Sequence, residues 1–320
     1  MSKPPLPLIS PRIASVTLIR NECDIVELFI KINARFLTTM YIVDHHSNDA
    51  TANIIKALQA QGYPVRYVPW EGLEFQQSMA MNSICHQLAK HNAFDYLLPL
   101  DADEFINEAE WPAWQEAARI PSTGYGRLSV RNYCAIRDDY WSATAPLFEN
   151  FRPRAFEPQP IPRVLLGNEF AKEVHITEGN HYALHPKLDP TAIELSVKLQ
   201  HVPFRSTQQV IAKTIPAASA LRTKTNRMPG EGAHWEVIAQ YIMDRDFKLS
   251  PTELKNMGLF YPANRKENAG NHVCLDEPGI GRPTDAITMR EDAQVNVLRA
   301  FSGAIQLLES RLAQRPPAPS

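Results

Sequence analysis

At 320 residues, with 44% hydrophobic and 21% charged positions, the chain carries enough apolar material for one large or two small domains and too much for a disordered polyelectrolyte. Lys plus Arg number 33 against 35 Asp plus Glu, a near balance that argues against a nucleic-acid partner or a general attraction to anionic membranes. No apolar run approaches the roughly 18 residues of a membrane span, and the opening MSKPPLPLISPRIAS lacks the apolar core of a signal peptide. A cytoplasmic protein is therefore expected, with at most peripheral contact with a membrane. Cys23, Cys85, Cys134 and Cys274 are scattered without a CxxC pair, so they read as reduced structural thiols rather than a disulfide frame or a zinc site.

The first hundred residues alternate between two hydrophobic periods. Ala14 to Ile19 is a β-branched apolar run, after which Ile25, Leu28, Phe29, Ile32 and Phe36 recur at helical spacing. Met40 to Val43 gives a second strand, Ser47-Asn48-Asp49 supplies helix-capping residues, and Ile54, Ile55 and Leu58 mark the next helix, stopped by Gly62-Tyr63-Pro64. Val65 to Val68 is a third strand. Gln76 to Lys90 is a third helix, expected to turn Met79, Ile84 and Leu88 inward, and Tyr96 to Leu100 a fourth strand. This βαβαβαβ order predicts an α/β fold with a mostly parallel sheet and helices on both faces.

In such sheets ligands bind beyond the carboxyl ends of the strands, so the residues just after each strand carry the functional signal. Here they are Arg20-Asn21-Glu22, Asp44-His45-His46-Ser47, Pro69-Trp70 and Asp101-Ala102-Asp103-Glu104. Asp44 and Ser47 are also good helix caps, and the two roles are compatible. Asp101 and Asp103 close the run YLLPLDADEF, where two carboxylates at a sheet edge can hold Mn²⁺ or Mg²⁺ against a diphosphate. A haloacid-dehalogenase-like phosphatase also places Asp-x-Asp after a parallel strand. It does so at its first strand, with Gly-Thr or Gly-Val following, whereas here three βα units precede the motif and Glu104-Phe105 follows it. A non-catalytic binder of sugar nucleotides or glycans is the other alternative.

RNECDIVELFIKINARF, YIVDHHSNDAT and QQSMAMNSICHQLAKHNAFDYLLPLDADEF resemble, in order and spacing, the N-terminal half of family 2 glycosyltransferases, especially a bacterial branch with KNE, D-x-x-S-x-D-x-T and DADEF elements. Weaker similarity continues through Lys172, EGNH (Glu178 to His181) and HVPFRSTQQVIAK (His201 to Lys213), reaching about residue 235. The resemblance implies a GT-A fold: a Rossmann-like nucleotide-binding half at about 12–105, an acceptor half at about 106–250, and a C-terminal extension over 251–320. It implies a nucleotide-sugar donor, UDP- or GDP-linked, a glycan or glycoconjugate acceptor, and transfer with inversion in surface polysaccharide assembly.

Carried onto this chain, Asp44 would meet the uracil or ribose, with Asn21 and Glu22 lining the same pocket. Asp101 would sit near ribose or metal, Asp103 would ligate the metal, and His201, after the β-like segment Leu195 to Leu199, would complete the metal sphere. Arg205 and Lys213 would face the phosphates, where a guanidinium suits bidentate contact. Asn180 and His181 would shape the sugar or acceptor pocket on a turn allowed by Gly179. His234 and Trp235 would belong to a mobile loop closing on the donor. For the catalytic base the candidates are Glu178, Glu194, Asp138 and Asp139, with Glu178 favoured by its place beside the G-N-H element. His45-His46 departs from the family pattern, where a small or amide residue is more usual.

From about residue 250 the sequence is rich in Pro, Gly and Asn and is expected to wrap the surface. Val297, Leu298, Phe301, Ile305, Leu308 and Leu312 then recur near helical spacing, predicting an amphipathic final helix packed on its own domain, or against a partner copy or membrane surface. PPAPS reads as a disordered tail.

Overall fold

The computed structural model describes residues 11–70, 77–91, 94–134, 153–155, 162–222, 224, 227, 230–261, 274–276, 286–289 and 293–313. The chain runs β1 (Ile13–Ile19), α1 (Val26–Asn33), β2 (Thr39–Asp44), α2 (Thr51–Ala60), β3 (Val65–Pro69), α3 (Gln77–Lys90), β4 (Tyr96–Pro99), β5 (Glu104–Ile106), a 3₁₀ stretch (Glu108–Arg119) and β6 (Tyr125–Asn132). It continues through β7 (Pro153–Ala155), β8 (Arg163–Gly167), α4 (Asn168–Ala171), β9 (His175–Ile176), a 3₁₀ turn (Glu178–Asn180), β10 (Ala183–Leu184), β11 (Ile193–His201), α5 (Thr207–Arg222), α6 (Ala233–Met243), α7 (Pro251–Phe260), β12 (Cys274–Asp276) and α8 (Ala293–Ala313).

Eight strands form one sheet in the order β3-β2-β1-β4-β8-β6-β11-β5. The first four are parallel, as the βα alternation requires; β8 enters antiparallel, and β11 pairs parallel with β6 and antiparallel with β5. Both faces are covered. Side chains alternate along a strand, so Ala14 and Val16 join a core with α3 and α4, while Ile13 and Ile19 join a larger one with α1, α2, α5 and α6. Cys23, Cys85 and Cys134 are buried and outside any disulfide.

Register brings the chemistry to one edge. Ile19 lies beside Asp44 and Asp44 beside Pro69, so the residues after β1, β2 and β4 emerge together. The antiparallel pairing of β11 with β5 sets His201 against Glu104, and the Val202 N–H donates to the Asp103 carbonyl at 2.9 Å. Edge strand β5 is held from its other side by buried Asn33, whose amide donates to the Glu104 carbonyl (3.0 Å) and accepts from the Ile106 N–H (2.9 Å). That side chain does what a further strand would do.

Three local expectations are corrected and one is met. On α3 the inward stripe is Ala80, Met81, Ile84 and Cys85; Ile84 is inward as expected and Leu88 packs half-buried beside it, but Met79 is 58% exposed because the helix turns Met81 rather than Met79 to the core with β1 and α4. The capping expected of Ser47-Asn48-Asp49 comes from Asp49, which accepts from the Thr51 N–H at 2.9 Å across Ala50. Pro251–Phe260, read as surface wrapping, is helical because Ser250 and Glu253 form a reciprocal capping box with Pro at the first helical position. On α8 the buried and inward positions are Ala300, Gly303 and Ala304, whereas Leu298 (67%) and Ile305 (55%) are exposed. Gly303 packs on the Asn48 side chain, Ala300 and Ala304 line the cavity with half-buried Leu308, and Leu298 and Ile305 are left outside. The Leu312 side chain, Gln76, the PPAPS tail and most of the Pro/Gly/Asn-rich segment lie outside the described residues.

The C-terminal extension is tied to the first βα unit. On α1 the buried Glu27 and Lys31 pair at 2.7 Å, and both read the backbone of 286–289. Glu27 accepts from the N–H groups of Thr288 (2.9 Å) and Met289 (2.7 Å), and Lys31 donates to the Ala286 carbonyl (2.6 Å).

The orientation of α3 separates two mutants. Met81→Ala, at a fully buried position, is expected to cost about 2–5 kcal/mol in guanidinium unfolding, and Met79→Ala to stay within about 0.5 kcal/mol. The reverse order would mean that α3 is rotated as the sequence pattern suggested.

Candidate active site

A cavity of about 490 Å³ opens at the carboxyl ends of β1 and β4. Its charged side is built from Asn21 and Glu22 after β1, Asp101 and Asp103 after β4, Arg163 at the start of β8, His201 at the end of β11 and Lys213 on α5.

Asp103 is the focus of this side. Its carboxylate lies 2.8 Å from the Lys213 ammonium and 3.4 Å from His201 Nε2, with Arg205 at 3.9 Å. Burial opposes ionisation of Asp103, but Lys213, then His201 and Arg205, outweigh it and hold its carboxyl well below the usual range. Burial likewise works against charge on Lys213, and Asp103 and Glu22 more than reverse it, raising the ammonium above its ordinary range. His201 itself is oriented by Asn132, whose Oδ1 lies 2.8 Å from Nδ1.

Asp101 differs. Its oxygens accept from the Asn180 amide (3.0 Å), the Gln77 amide (3.3 Å) and the Arg163 guanidinium (3.3 Å), and burial moves its carboxyl upward against the pull of Arg163, with repulsion from Asp103 adding to the rise. Arg163 also lies 2.7 Å from buried Glu104. Burial pushes Glu104 up to about 7 against Arg163, with Asp101 adding to the rise. Behind them, fully buried Arg205 bridges Glu22 and Asp24, the latter at 2.9 Å. Burial pushes Asp24 up to about 6 against Arg205.

This cluster therefore sets five carboxylates (Glu22, Asp24, Asp101, Asp103, Glu104) against three permanent cations (Arg163, Arg205, Lys213). The donor chemistry, carboxylate oxygens of Asp101 and Asp103 with one imidazole nitrogen of His201, suits Mn²⁺ or Mg²⁺. Among the described residues no three His, Cys, Asp or Glu side chains are grouped to hold a metal unaided. Cations of this kind usually take one or two carboxylates and leave the remaining positions to substrate oxygen and water.

The other anticipated residues divide into those on the cavity and those behind it. Glu178, His181, His234 and Trp235 line it; Asp44, Asn180 and Arg205 do not. Both oxygens of Asp44 are engaged, accepting from the Ser47 N–H (3.1 Å) and the Tyr67 hydroxyl (2.8 Å). Asn21 adopts a left-handed backbone (φ 55°), which asparagine tolerates, and binds the β1 loop to the β2 loop through Ser47 and Asn48. Asn180 is also left-handed (φ 58°), and Gly179 beside it at φ 74° leaves no room for a Cβ against the His181 ring. His181 Nδ1 faces Arg163 at 2.7 Å, so it accepts there, and burial with the Arg163 charge lowers its pKa to about 4.

Glu178, on a 3₁₀ turn, accepts weakly from the Ser78 N–H (3.4 Å), and burial raises its carboxyl above the ordinary 4.5. Glu194 pairs with Arg127 on an exposed edge away from the cavity. Asp138 and Asp139 lie outside the described residues. His234 and Trp235 occupy the first turn of α6, not a loop, because Gly232 at φ 62° starts a helix there. Both rings pack on Tyr261, at 5.5 and 5.8 Å between centroids.

Sequence reasoning did not single out Arg163, Gln77, Tyr261, or the contribution of α8 through Ala300, Ala304 and Leu308. Arg163 left one trace, a charge opening the otherwise apolar run Val164 to Leu166. Tyr261 and α8 left none, being placed by tertiary packing alone.

No protein-family model and no curated protein matches the sequence. Among solved structures it is similar to TarS 1–349 of S. aureus (13% identity, 94% of this chain and 82% of that one, TM-score 0.36). A second is the mannosyltransferase PcManGT from Pyrobaculum calidifontis in complex with GDP-Man and Mn²⁺ (13%, 96% and 76%, TM-score 0.37). A third is glucosyl-3-phosphoglycerate synthase from Mycobacterium tuberculosis with Mn²⁺, uridine diphosphate and glucosyl-3-phosphoglycerate (16%, 41% and 49%, TM-score 0.26). Likeness at these scores fixes neither activity nor ligand.

Arg163 holds buried Glu104 and half-buried Asp101, which gives its removal a signature. Arg163→Met is expected to lower unfolding free energy by about 3–5 kcal/mol, since it strands buried charge. Adding Glu104→Gln should recover part of that loss in urea unfolding. Purely additive losses would show that Arg163 and Glu104 are not coupled.

Proposed function

We propose that the chain is a metal-dependent glycosyltransferase of GT-A type. In this reading it moves a sugar, with inversion, from a UDP- or GDP-linked donor to a glycan or glycoconjugate acceptor. The observation that carries this reading is the unbalanced acid cluster around Asp103. It sets five carboxyl groups against Arg163, Arg205 and Lys213 beside a cavity at the carboxyl ends of parallel strands. Burial already pushes two of those carboxyls, Glu104 and Asp24, up to about 7 and about 6, so acid is in surplus there and a divalent cation would relieve it. Asp103, Asp101 and His201 would hold the cation, and when bound it would neutralise charge on the departing diphosphate.

The chain's own residues then divide the work. Asn21 and Glu22 form the β1 rim of the donor seat, with Asp44 fixing the β2 loop against it through Ser47 and Tyr67. Lys213, paired with Asp103 and Glu22, stands where a phosphate oxygen can replace a carboxylate partner. Arg205 supports this arrangement from behind as the common partner of Glu22 and Asp24. Asn180 and Arg163 orient Asp101, and His181, neutral above about pH 4, keeps Arg163 in place. Trp235, with His234 and Tyr261, offers an aromatic face to a sugar ring. Glu178 is the base that takes the acceptor hydroxyl proton.

The first test is thermal. UDP or GDP should raise the melting temperature only with Mn²⁺, and Asp103→Ala should abolish the shift and, with it, slow Mn²⁺-dependent hydrolysis of the donor. Equal stabilisation of Asp103→Ala would contradict the assignment, and stabilisation with no hydrolysis would leave a binder rather than an enzyme.

The second test is a pH profile. A base acts deprotonated, so activity falls as pH drops through the Glu178 pKa, which burial places above the ordinary 4.5. The acidic limb of kcat/KM should therefore lie above that value. Glu178→Gln should remove the limb and lower turnover about 10²–10⁴-fold. An unchanged limb in Glu178→Gln would exclude it as the base.

A further inference from the structure

The cavity has two chemically opposed sides. Besides the charged cluster, the lining includes a stretch of wall from α5 and α8 formed mainly by Ala217, Ala220, Leu221, Ala300, Ala304 and Leu308. Shortly after α5 the lining also holds Lys224 and Glu231, whose charges are spent on each other at 2.5 Å. The polar side chains that α5 adds are already engaged. The Ser219 hydroxyl donates back to the Ile215 carbonyl at 2.9 Å, and the Gln209 amide accepts from the Arg205 N–H (3.2 Å) and donates to the Pro203 carbonyl (3.4 Å). A sugar ring laid along this wall would bring hydroxyls that lose water and find few partners, which is unfavourable. Hydrocarbon loses nothing there and gains from burial.

The apolar character also continues outward. On α8, Leu308 shares an arc with half-buried Phe301 and with Leu298 and Ile305, which are 67% and 55% exposed. A chain leaving the cavity along α8 therefore stays on apolar surface. No described helix is long and apolar enough to cross a membrane.

We infer that the acceptor is an amphiphile: its hydroxyl-bearing head lies at the Glu178–Asp103 side, and a hydrocarbon aglycone runs along the α5–α8 wall toward Leu298 and Ile305. This deepens the proposed glycosyltransferase reading and rests on it, by replacing an all-glycan acceptor with a lipid-linked one.

The test uses hexyl, octyl and decyl β-D-glucopyranoside, each below its micelle concentration, titrated calorimetrically into the full chain. Affinity should rise about fourfold per added methylene until the chain outruns the wall. Ala304→Gln on α8 and Ala220→Gln on α5, each checked by circular dichroism and melting, should flatten the dependence. Should one of them fail to fold, the other decides, and the slope of the unaltered chain stands independently. Affinity independent of chain length, or a full slope in both variants, overturns the inference. The UDP–Mn²⁺ melting shift is recorded on the same samples. A shift without a slope defeats the lipid acceptor alone, and a slope without a shift defeats the glycosyltransferase reading on which it rests.

Discussion

Burial of the Asp103 carboxylate is tolerable only because Lys213, His201 and Arg205 surround it, and much of the cavity's charged side follows from that need. Each of these groups comes from a part of the chain remote from Asp103, and each brings its own requirement. Arg205 needs Glu22 and Asp24, Lys213 needs Glu22, and His201 needs Asn132. The network closes with more acid than base. Buried ion pairs rarely repay their desolvation in stability alone. A buried cluster with acid in surplus is costly, and its place at the carboxyl ends of the strands fits a site where positive charge arrives with a ligand.

Topology makes this cluster possible from a scattered sequence. Parallel strands bring the residues after β1, β2 and β4 to one edge, which accounts for Glu22, Asp44 and Asp101 being neighbours of a common rim. The antiparallel return of β11 along β5 is equally important, because it carries His201 to Asp103 across nearly a hundred residues of chain. The C-terminal extension then completes the cavity rather than decorating the surface. The Glu27–Lys31 pair on α1 fixes 286–289, and α8 beyond it supplies Ala300, Ala304 and Leu308 to the wall.

What the sequence disclosed and withheld follows from the range of the interactions concerned. The three βα units and the fourth strand were legible because period 2 and period 3.6 are local, and the strand-end acids were legible because parallel sheets display ligands there. The rotation of α3 was not, since Met79 and Met81 are equally apolar and only the space beside β1 and α4 chooses between them. On α8 the large residues suggested the packed face, but only Leu308 of them reaches the cavity, while Ala300 is buried, Gly303 packs on Asn48, and Leu298 and Ile305 are exposed. Arg163 reaches Asp101, Glu104 and His181 only through the antiparallel insertion of β8, a pairing that no periodicity announces. The same holds for Asp44: the strand-end rule marked it, but the hydroxyl of Tyr67 on the next strand decided where its second oxygen points.

The central claim is that the charge missing around Asp103 is supplied by a divalent cation held jointly by protein and diphosphate. Electron paramagnetic resonance of Mn²⁺ titrated into the chain with and without UDP or GDP measures this most directly. The account predicts one tight Mn²⁺ site that forms only in the presence of the nucleoside diphosphate and disappears in Asp103→Asn. Equal Mn²⁺ binding in Asp103→Asn, or no nucleotide-dependent site in the unaltered chain, would contradict it.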